Sequence, residues 1–561
     1  MSYTDKIILV AINSKYIHSN TAVYYLYNIL ANSGRRTELL SFNINENRLD
    51  MLRRIFSHNP SVVCFSCYIW NIEIVYSLCI DLRKLAPGVR IILGGPEVSF
   101  ECEEAMKKSG ADLIVRGEGE SVICTAVEGV LLGIMPSEPG FFFRDGDGFR
   151  DTGYALTRIL DDIPSPYDKF MMEREMERLI YYEASRGCPF NCIYCLSSST
   201  DGVRYFSLKR VFDELSVILE YSPKTIKFTD RSFNLDGGRS LEILDFISSL
   251  DTDTCFHLEI YPAGLTEKIM EKLVSMPAGR VQLEAGIQSL NIDTLRASGR
   301  FQDPERALKN MEILINAGNM HIHLDLIAGL PGEDAGSFAK SFDRTIGTHP
   351  HVLQVGFLKL LKGTKARLLD GYVYEERAPY EVLASPSMAF CDVSEIKEIA
   401  GCVDMFYNSP CFRSYLKYMH GKYKSPYMLY KDLSGFIKTQ QSGQGGISKE
   451  NQYRLLADFS RGDSMAQETL RYDYFKSFKA KEAPGFLGGI SVDKEVVFGF
   501  LKNGENVRRY FPAHHGKRPA ELYKICGIGR FVLPLGDKTI LFIYDEKDRV
   551  TERFRSETIE T

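Results

Sequence analysis

Cys188, Cys192 and Cys195 fall within eight positions of one another, in the stretch Ser185-Arg186-Gly187-Cys188-Pro189-Phe190-Asn191-Cys192-Ile193-Tyr194-Cys195. Three thiolates so close can wrap one face of a [4Fe–4S] cubane, ligating three irons and leaving the fourth without a protein ligand. That open iron is the chemical opportunity. The amino and carboxylate groups of S-adenosylmethionine (SAM) can chelate it, which sets the sulfonium against the cluster. One electron from a reduced cluster then cleaves a carbon–sulfur bond and yields a 5′-deoxyadenosyl radical. Other chemistries compete for the same residues. A zinc ribbon needs a second close cysteine pair, and the expectation is that the chain lacks one. A C-x-x-C alone can serve as a redox dithiol, and plain structural thiols are the bland alternative; the third cysteine, just after a strand-like segment, favours the cluster.

A loop that presents three thiolates must be launched from something rigid. LIYYEASRG (179–187) reads as a strand leading directly into it, and TIKFTD, CFHLEIY, RVQLEAGIQ, HIHLDLIAG and VLQVGFLKLL follow as further strands. Helical stretches such as SLKRVFDELSVILEY and DPERALKNMEILINAG lie between them. Six such strands predict a partial parallel (β/α)6 barrel over 180–370, with its active site at the strand C-termini. Upstream, KIILVAI, TELLSF, SVVCFSCY, RIILGG and ADLIVRG alternate with helix-like segments. This is the pattern of an α/β, flavodoxin-like doubly wound domain over 1–135, whose ligand would lie beyond the carboxyl ends of the strands. FFFRDGDGFRDTG signals a hairpin and the Pro-containing LDDIPSPYDKF a linker, together filling 136–179. Residues 371–561 read as a separate α+β domain. YKDLSGFIKTQQ and ENQYRLLADFS look helical there, QQSGQGG is a loop, and EVVFGFL, RRYFP and TILFIYD look like strands.

The CxxxCxxC spacing, with an aromatic before its last cysteine, resembles the signature of the radical SAM superfamily over roughly 180–365. The resemblance extends to the branch containing the oxygen-independent coproporphyrinogen oxidases. It implies that Tyr194 packs its ring against adenine. HLEIYP is similar to a strand carrying a SAM-contacting Glu, which falls on Glu259. GIQSLNIDTLRASGR is similar to a segment that places a contacting Gln at Gln288 and an Arg at Arg300, and DLIAGLPGE to one whose binding Asp is Asp325. The chemistry is apt. Carboxylates accept hydrogen bonds from hydroxyls and ammonium, and Arg300 can pair with a carboxylate bidentately. Each of these residues is otherwise explained by a structural ion pair. Gly329, Pro331 and Gly332 read as a tight turn. Tyr261, Glu284 and His323 are strand residues that would face the cavity, and no catalytic base is named among them.

Residues 1–135 resemble the cobalamin-binding domains that precede many radical SAM units. The stretches SCYIWN, GGPEVS and RGEGE each follow an apolar strand. The resemblance implies that Ser66, Tyr68, Gly94 and Gly95 approach the nucleotide tail of cobalamin. The chain departs from the Asp-x-His-x-x-Gly motif that supplies a cobalt ligand. It reads Asn13-Ser14-Lys15-Tyr16-Ile17-His18 instead, so His18 is read as a loop histidine. A doubly wound domain that binds nothing, or another nucleotide, is the alternative. The C-terminal region resembles a domain of unknown role that often follows such units. Cys391, Cys402 and Cys411 are too irregularly spaced for a second cluster motif, and LRYDYFKSFKAKEAP reads as a core helix with a solvated face.

A net charge of −5 gives no overall basic excess to announce nucleic acid. No run of apolar residues is long enough for a membrane span. The N-terminus lacks a signal-peptide pattern, and thirteen cysteines then point to thiols or metal ligands in a reducing, cytoplasmic setting. The reading is a radical SAM enzyme with a [4Fe–4S] cluster, SAM and cobalamin, supplied with electrons by a flavodoxin or ferredoxin. C-methyl transfer to an unidentified substrate is its leading option. The rivals are a radical SAM enzyme of another reaction type without functional cobalamin, and a non-enzymatic cobalamin or metal sensor.

Overall fold

The computed structural model describes residues 5–199, 202–440, 447–488, 492–533 and 536–559. Its first sheet begins with β1 (Lys6–Asn13), β2 (Arg36–Asn43), β3 (Val62–Ser66), β4 (Arg90–Gly94) and β5 (Leu113–Val115), all parallel, in the order β2-β1-β3-β4-β5. Helices cover both faces, so the central strands are apolar throughout; in β1 every residue after Lys6 is buried. The order reverses between β1 and β3, and that is where a doubly wound sheet opens a crevice. The expected hairpin forms as β6 (Phe141–Asp145) and β7 (Gly148–Asp151). It pairs antiparallel with β5 and so extends the first sheet to seven strands.

The second sheet runs β15-β14-β13-β12-β11-β8, six parallel strands that do not close on themselves, in keeping with a partial barrel. They are β8 (Ile180–Tyr182), β11 (Thr225–Phe228), β12 (Cys255–Ile260), β13 (Val281–Gln288), β14 (His321–Ala328) and β15 (Val352–Phe357). The short strands β9 (Ser185–Gly187) and β10 (Val203–Tyr205) leave it as a separate antiparallel ribbon. Along β13 and β14 burial alternates strictly. Val281, Leu283, Ala285 and Ile287 pack outward in the core, while Gln282, Glu284 and Gln288 turn to the other face. Asp303 caps the helix Pro304–Ala317, with Pro304 in its first turn, which fixes the chain's return after the SAM-motif segment.

A small two-stranded ribbon, β16 (Val373–Tyr374) and β17 (Val382–Ala384), precedes the C-terminal helices. The region then closes with an antiparallel sheet of β18 (Cys526–Leu533), β19 (Gly536–Lys547) and β20 (Phe554–Ile559). The helical readings of 430–440 and 450–459 hold, TILFIYD lies in β19, and residues 441–446 of the QQSGQGG loop lie outside the described residues. Two strand expectations fail. EVVFGFL lies in the helix Lys494–Lys502, where Asp493 caps the N-terminus and Val497, Phe500 and Leu501 recur on one face. RRYFP falls on the end of the helix Gly504–Tyr510, which buries Val507 and Tyr510. In the first a β-branched and aromatic composition, and in the second an aromatic one, hides a helical spacing of the buried residues, and packing decides for the helix.

Candidate functional site

The cysteine loop leaves β9 and is held from three directions. Asp230 accepts hydrogen bonds from the Ala184 amide at 3.0 Å and from the Ser185 hydroxyl, fixing the start of the ribbon. The Ile193 amide donates to the Ser298 carbonyl at 3.0 Å, and the Ile193 carbonyl accepts from the Ala366 amide at 2.9 Å. Gly299, at φ +67, sits so close to the loop that a Cβ there would stand 2.5 Å from the Asn191 carbonyl oxygen. Cys192 is buried; Cys188 and Cys195 are half-buried. Burial raises the Cys188 thiol, opposed by the Phe190 amide. Among the described residues no three His, Cys, Asp or Glu side chains converge as they would on a single metal ion. A cubane spreads its thiolates over separate irons.

The expectation that the chain lacks a second close cysteine pair fails, because Cys64-Phe65-Ser66-Cys67 is one. The structure disposes of the zinc ribbon differently. Both thiols are buried in and just after β3, and burial pushes the Cys64 thiol up to about 12. All thirteen cysteines are free; Cys391 is exposed, while Cys402 and Cys411 are buried apolar side chains.

Tyr194, Gln288, Arg300 and Asp325 share one feature. Each holds a buried polar atom without a well-formed hydrogen bond: the Tyr194 hydroxyl, which meets only the Arg300 guanidinium and the Cys192 thiol, and Gln288 Oε1, Arg300 Nε and Asp325 Oδ1. Gln288 ends β13 with φ +66, a conformation that costs a side-chain-bearing residue energy. Arg300 spends one Nη on the Gly286 carbonyl (2.6 Å) and on Gln302 (3.1 Å) and lies beside Tyr194 and Cys192. Asp325 stands beside Gly286 in register; burial, reinforced by Glu284 and Glu259, pushes its carboxyl well above the usual range. Glu259 differs. It faces Lys227 at 3.6 Å and Arg231 at 3.8 Å, the ion pair that is its structural alternative. Unpaired buried polar atoms cost free energy, and these four gather near the cysteine loop, where a ligand's polar groups would find partners. A ligand carrying a carboxylate, an ammonium, hydroxyls and a purine satisfies them, so these residues fit SAM.

Of the remaining strand residues, Glu284 bonds Lys227 and His257, both at 2.8 Å, which holds its carboxyl down at about 2. His323 Nε2 lies 3.0 Å from His321 Nδ1, and burial drives His323 down to about 4. Tyr261 instead packs on Phe190, with ring centroids 4.6 Å apart, and donates to the Phe301 carbonyl. Gly329 and Gly332 take positive φ in the turn after β14.

A cavity of about 640 Å³ opens at the crevice of the first sheet, and Ser66, Tyr68, Gly94 and Gly95 all line it. Its far wall carries Tyr181, Glu183, Arg186 and Arg231 from the barrel. Gly95, at φ +114, is needed by the fold itself, since a Cβ there would stand 2.6 Å from the Cys67 carbonyl oxygen. His18 bonds the Tyr181 hydroxyl at 2.8 Å, as a loop histidine. Sequence reasoning missed Trp70, which stacks on Tyr68 with ring centroids 4.5 Å apart and donates to the Ile12 carbonyl. It also missed the acidic wall of Glu118, Glu120 and Glu183. The only signal was the charge pairing of RGEGE with Arg186, and nothing local joins residues so far apart. An open, amide-bordered crevice with a stacked aromatic pair fits a bulky corrinoid.

Family models match this chain in three consecutive stretches: the B12 binding domain over residues 7–127, the radical SAM superfamily over 182–345, and a protein of unknown function, DUF4080, over 371–542. The chain carries a B12-binding domain followed by a radical SAM domain. An uncharacterised methyltransferase of Pyrococcus horikoshii is 27% identical over 298 residues, covering 51% of this chain and 63% of its own. The cobalamin-dependent radical SAM methyltransferase TokK of Streptomyces tokunonensis is 25% identical over 305 residues, covering 50% and 44%. This B12-binding radical SAM chain therefore spans less than two thirds of the length of these relatives. In fold it is similar to the methyltransferase TsrM of Kitasatospora setae, solved with cobalamin and a [4Fe–4S] cluster, at a TM-score of 0.56 and 15% identity, covering 66% of this chain and 80% of that one. A radical SAM domain implies a [4Fe–4S] cluster and SAM, and a B12-binding domain implies cobalamin. Among the described residues no helix is long and apolar enough to cross a membrane.

Proposed function

We propose that this chain is a cobalamin-dependent radical SAM methyltransferase acting on a carbon centre of a substrate. Cys188, Cys192 and Cys195 would hold the cluster; Tyr194, Glu259, Gln288, Arg300 and Asp325 would hold SAM; and Ser66, Tyr68, Gly94 and Gly95 would border the cobalamin. When bound, cluster and SAM supply a carbon radical able to take hydrogen from an unactivated C–H bond, and cobalamin supplies a methyl carrier. The protein's own part is positional. Arg300 and Asp325 fix the two charged ends of an amino acid, Tyr194 closes over a planar base, and burial keeps water out. The observation that carries this reading is the set of buried polar atoms without well-formed hydrogen bonds near the cysteine loop. The methyltransferase relatives support the choice of reaction. A low-potential flavodoxin or ferredoxin is the fitting electron donor, and a cytoplasmic setting suits free thiols and an oxygen-labile cluster.

The deciding experiment is anaerobic reconstitution of the full chain with iron, sulfide and cobalamin, followed by spectroscopy and assay for 5′-deoxyadenosine. Brown iron–sulfur absorption, bound corrinoid and SAM cleavage are expected. Protein that carries zinc in place of the cluster, or that cleaves no SAM under reducing conditions, ends the proposal.

A further inference from the structure

Arg186 lies in β9, two residues before Cys188, and Arg204 is its cross-strand partner on β10. Three carboxylates surround the pair. Arg186 reaches Glu120 at 2.8 Å, Glu118 at 3.3 Å and Glu183 at 2.8 Å. Arg204 forks onto Glu118 at 2.9 and 2.5 Å. All five side chains are between 11% and 18% exposed, so these are shielded contacts and not surface pairs. Glu118 and Glu120 belong to the loop that follows β5 of the B12-binding domain. That loop is itself braced, because the Glu118 amide donates to the Ala155 carbonyl and Glu118 accepts from the Thr157 amide. Glu118, Glu120, Glu183 and Arg186 all line the cavity.

A ribbon of two three-residue strands has little packing of its own. Its place is therefore set by what grips it, and on the cavity side that grip is this nest of charges. Arginine suits the task, since its rigid fork meets three carboxylates at once. Without it, three carboxylates face one remaining guanidinium and repel.

We propose that Arg186 is a positioning residue that holds the cluster loop in register with the loop bordering the cobalamin cavity, so that filling the cavity alters SAM cleavage at the cluster. The inference rests on the function proposed above. Coupling between two binding sites typically amounts to about fivefold or more in affinity, and that sets the scale expected of the rate.

The test uses the full chain reconstituted anaerobically with iron and sulfide, with and without hydroxocobalamin. Formation of 5′-deoxyadenosine from SAM under titanium(III) citrate is compared for wild type, Arg186→Lys and Glu120→Gln, with iron and sulfide contents measured alongside. In wild type the corrinoid is expected to change the rate about fivefold, and in both variants the ratio with and without corrinoid is expected to collapse towards one. A wild-type ratio of one overturns the inference, as does a variant that keeps the wild-type ratio. Loss of iron from both variants also overturns it, because Arg186 would then only support the loop. A wild-type chain that binds no corrinoid, or cleaves no SAM, defeats the proposed function itself, a result distinct from binding and cleavage without coupling.

Discussion

At the scale of single residues, the polar atoms that lack partners are more informative than those that have them. A buried carboxylate or amide left unsatisfied costs roughly 1–3 kcal/mol, and Gln288 adds a left-handed backbone to that cost. Such a site should gain from its ligand what it loses in its absence. Gln288→Ala and Asp325→Asn are expected to weaken SAM binding to cluster-loaded protein about tenfold or more, as measured by calorimetry. The thermal midpoint without SAM should stay level or rise, because Gln288→Ala removes an unpaired group and Asp325→Asn replaces a desolvated carboxyl with a neutral amide. A fall in midpoint with unchanged SAM affinity would return both residues to a structural role. Replacing Cys188, Cys192 and Cys195 together with alanine is expected to abolish iron and sulfide incorporation, read by metal analysis, with the circular dichroism spectrum preserved.

At the scale of elements, the barrel strands divide their labour by alternation. The odd-numbered residues of β13 build the core, and the even-numbered ones, with their β14 neighbours, make a polar interior. The turn after β14 carries this interior to its edge and buries Glu333 fully, with Ser289 donating to one of its oxygens at 2.5 Å. Burial is the main cause that lifts the Glu333 carboxyl to about 8, against about 4.5 when unfolded. Between those values the folded chain holds a proton that the unfolded chain has released. Stability therefore falls as pH rises through that window, by about 1.4 kcal/mol per unit from this one group, and levels off above it. Denaturant titrations at pH 6 and pH 9 should show this loss in wild type and a smaller one in Glu333→Gln. Equal losses in the two proteins would remove Glu333 from the account.

At the scale of the whole molecule, the two sheets are joined by buried charge. Lys362, 3% exposed, lies beyond β15 and reaches into the first domain, 3.3 Å from Glu101, 3.5 Å from Glu104 and 3.8 Å from Glu97. The Tyr380 hydroxyl donates to Glu97 from the same side. Removing one partner of a buried ion pair strands the other, at a typical cost of about 3–5 kcal/mol. Lys362→Met is expected to lower the unfolding free energy from denaturant titration by up to that order, less where the half-exposed Glu101 and Glu104 are screened by solvent, and adding Glu97→Gln should recover part of the loss. A non-recovering double variant would show that the lysine acts through packing alone.

By itself the sequence determined the two alternating strand–helix series, the three cysteines and the chemistry their spacing permits, because those signals are local. Period-two strands, helical spacing and a short thiolate motif each lie within a dozen residues. It misjudged 495–501 and 508–512, where composition and spacing disagree and only packing arbitrates. It also passed over Cys64 and Cys67 as a pair, which burial in the first sheet makes inert. The tertiary structure alone decided which candidate residues are unsatisfied, that Glu259 is ion-paired while Asp325 is not, and that Glu118 and Glu120 meet Arg186 some 66 residues along the chain. Such facts depend on desolvation and on distances across the fold, and neither is written into the order of neighbouring residues.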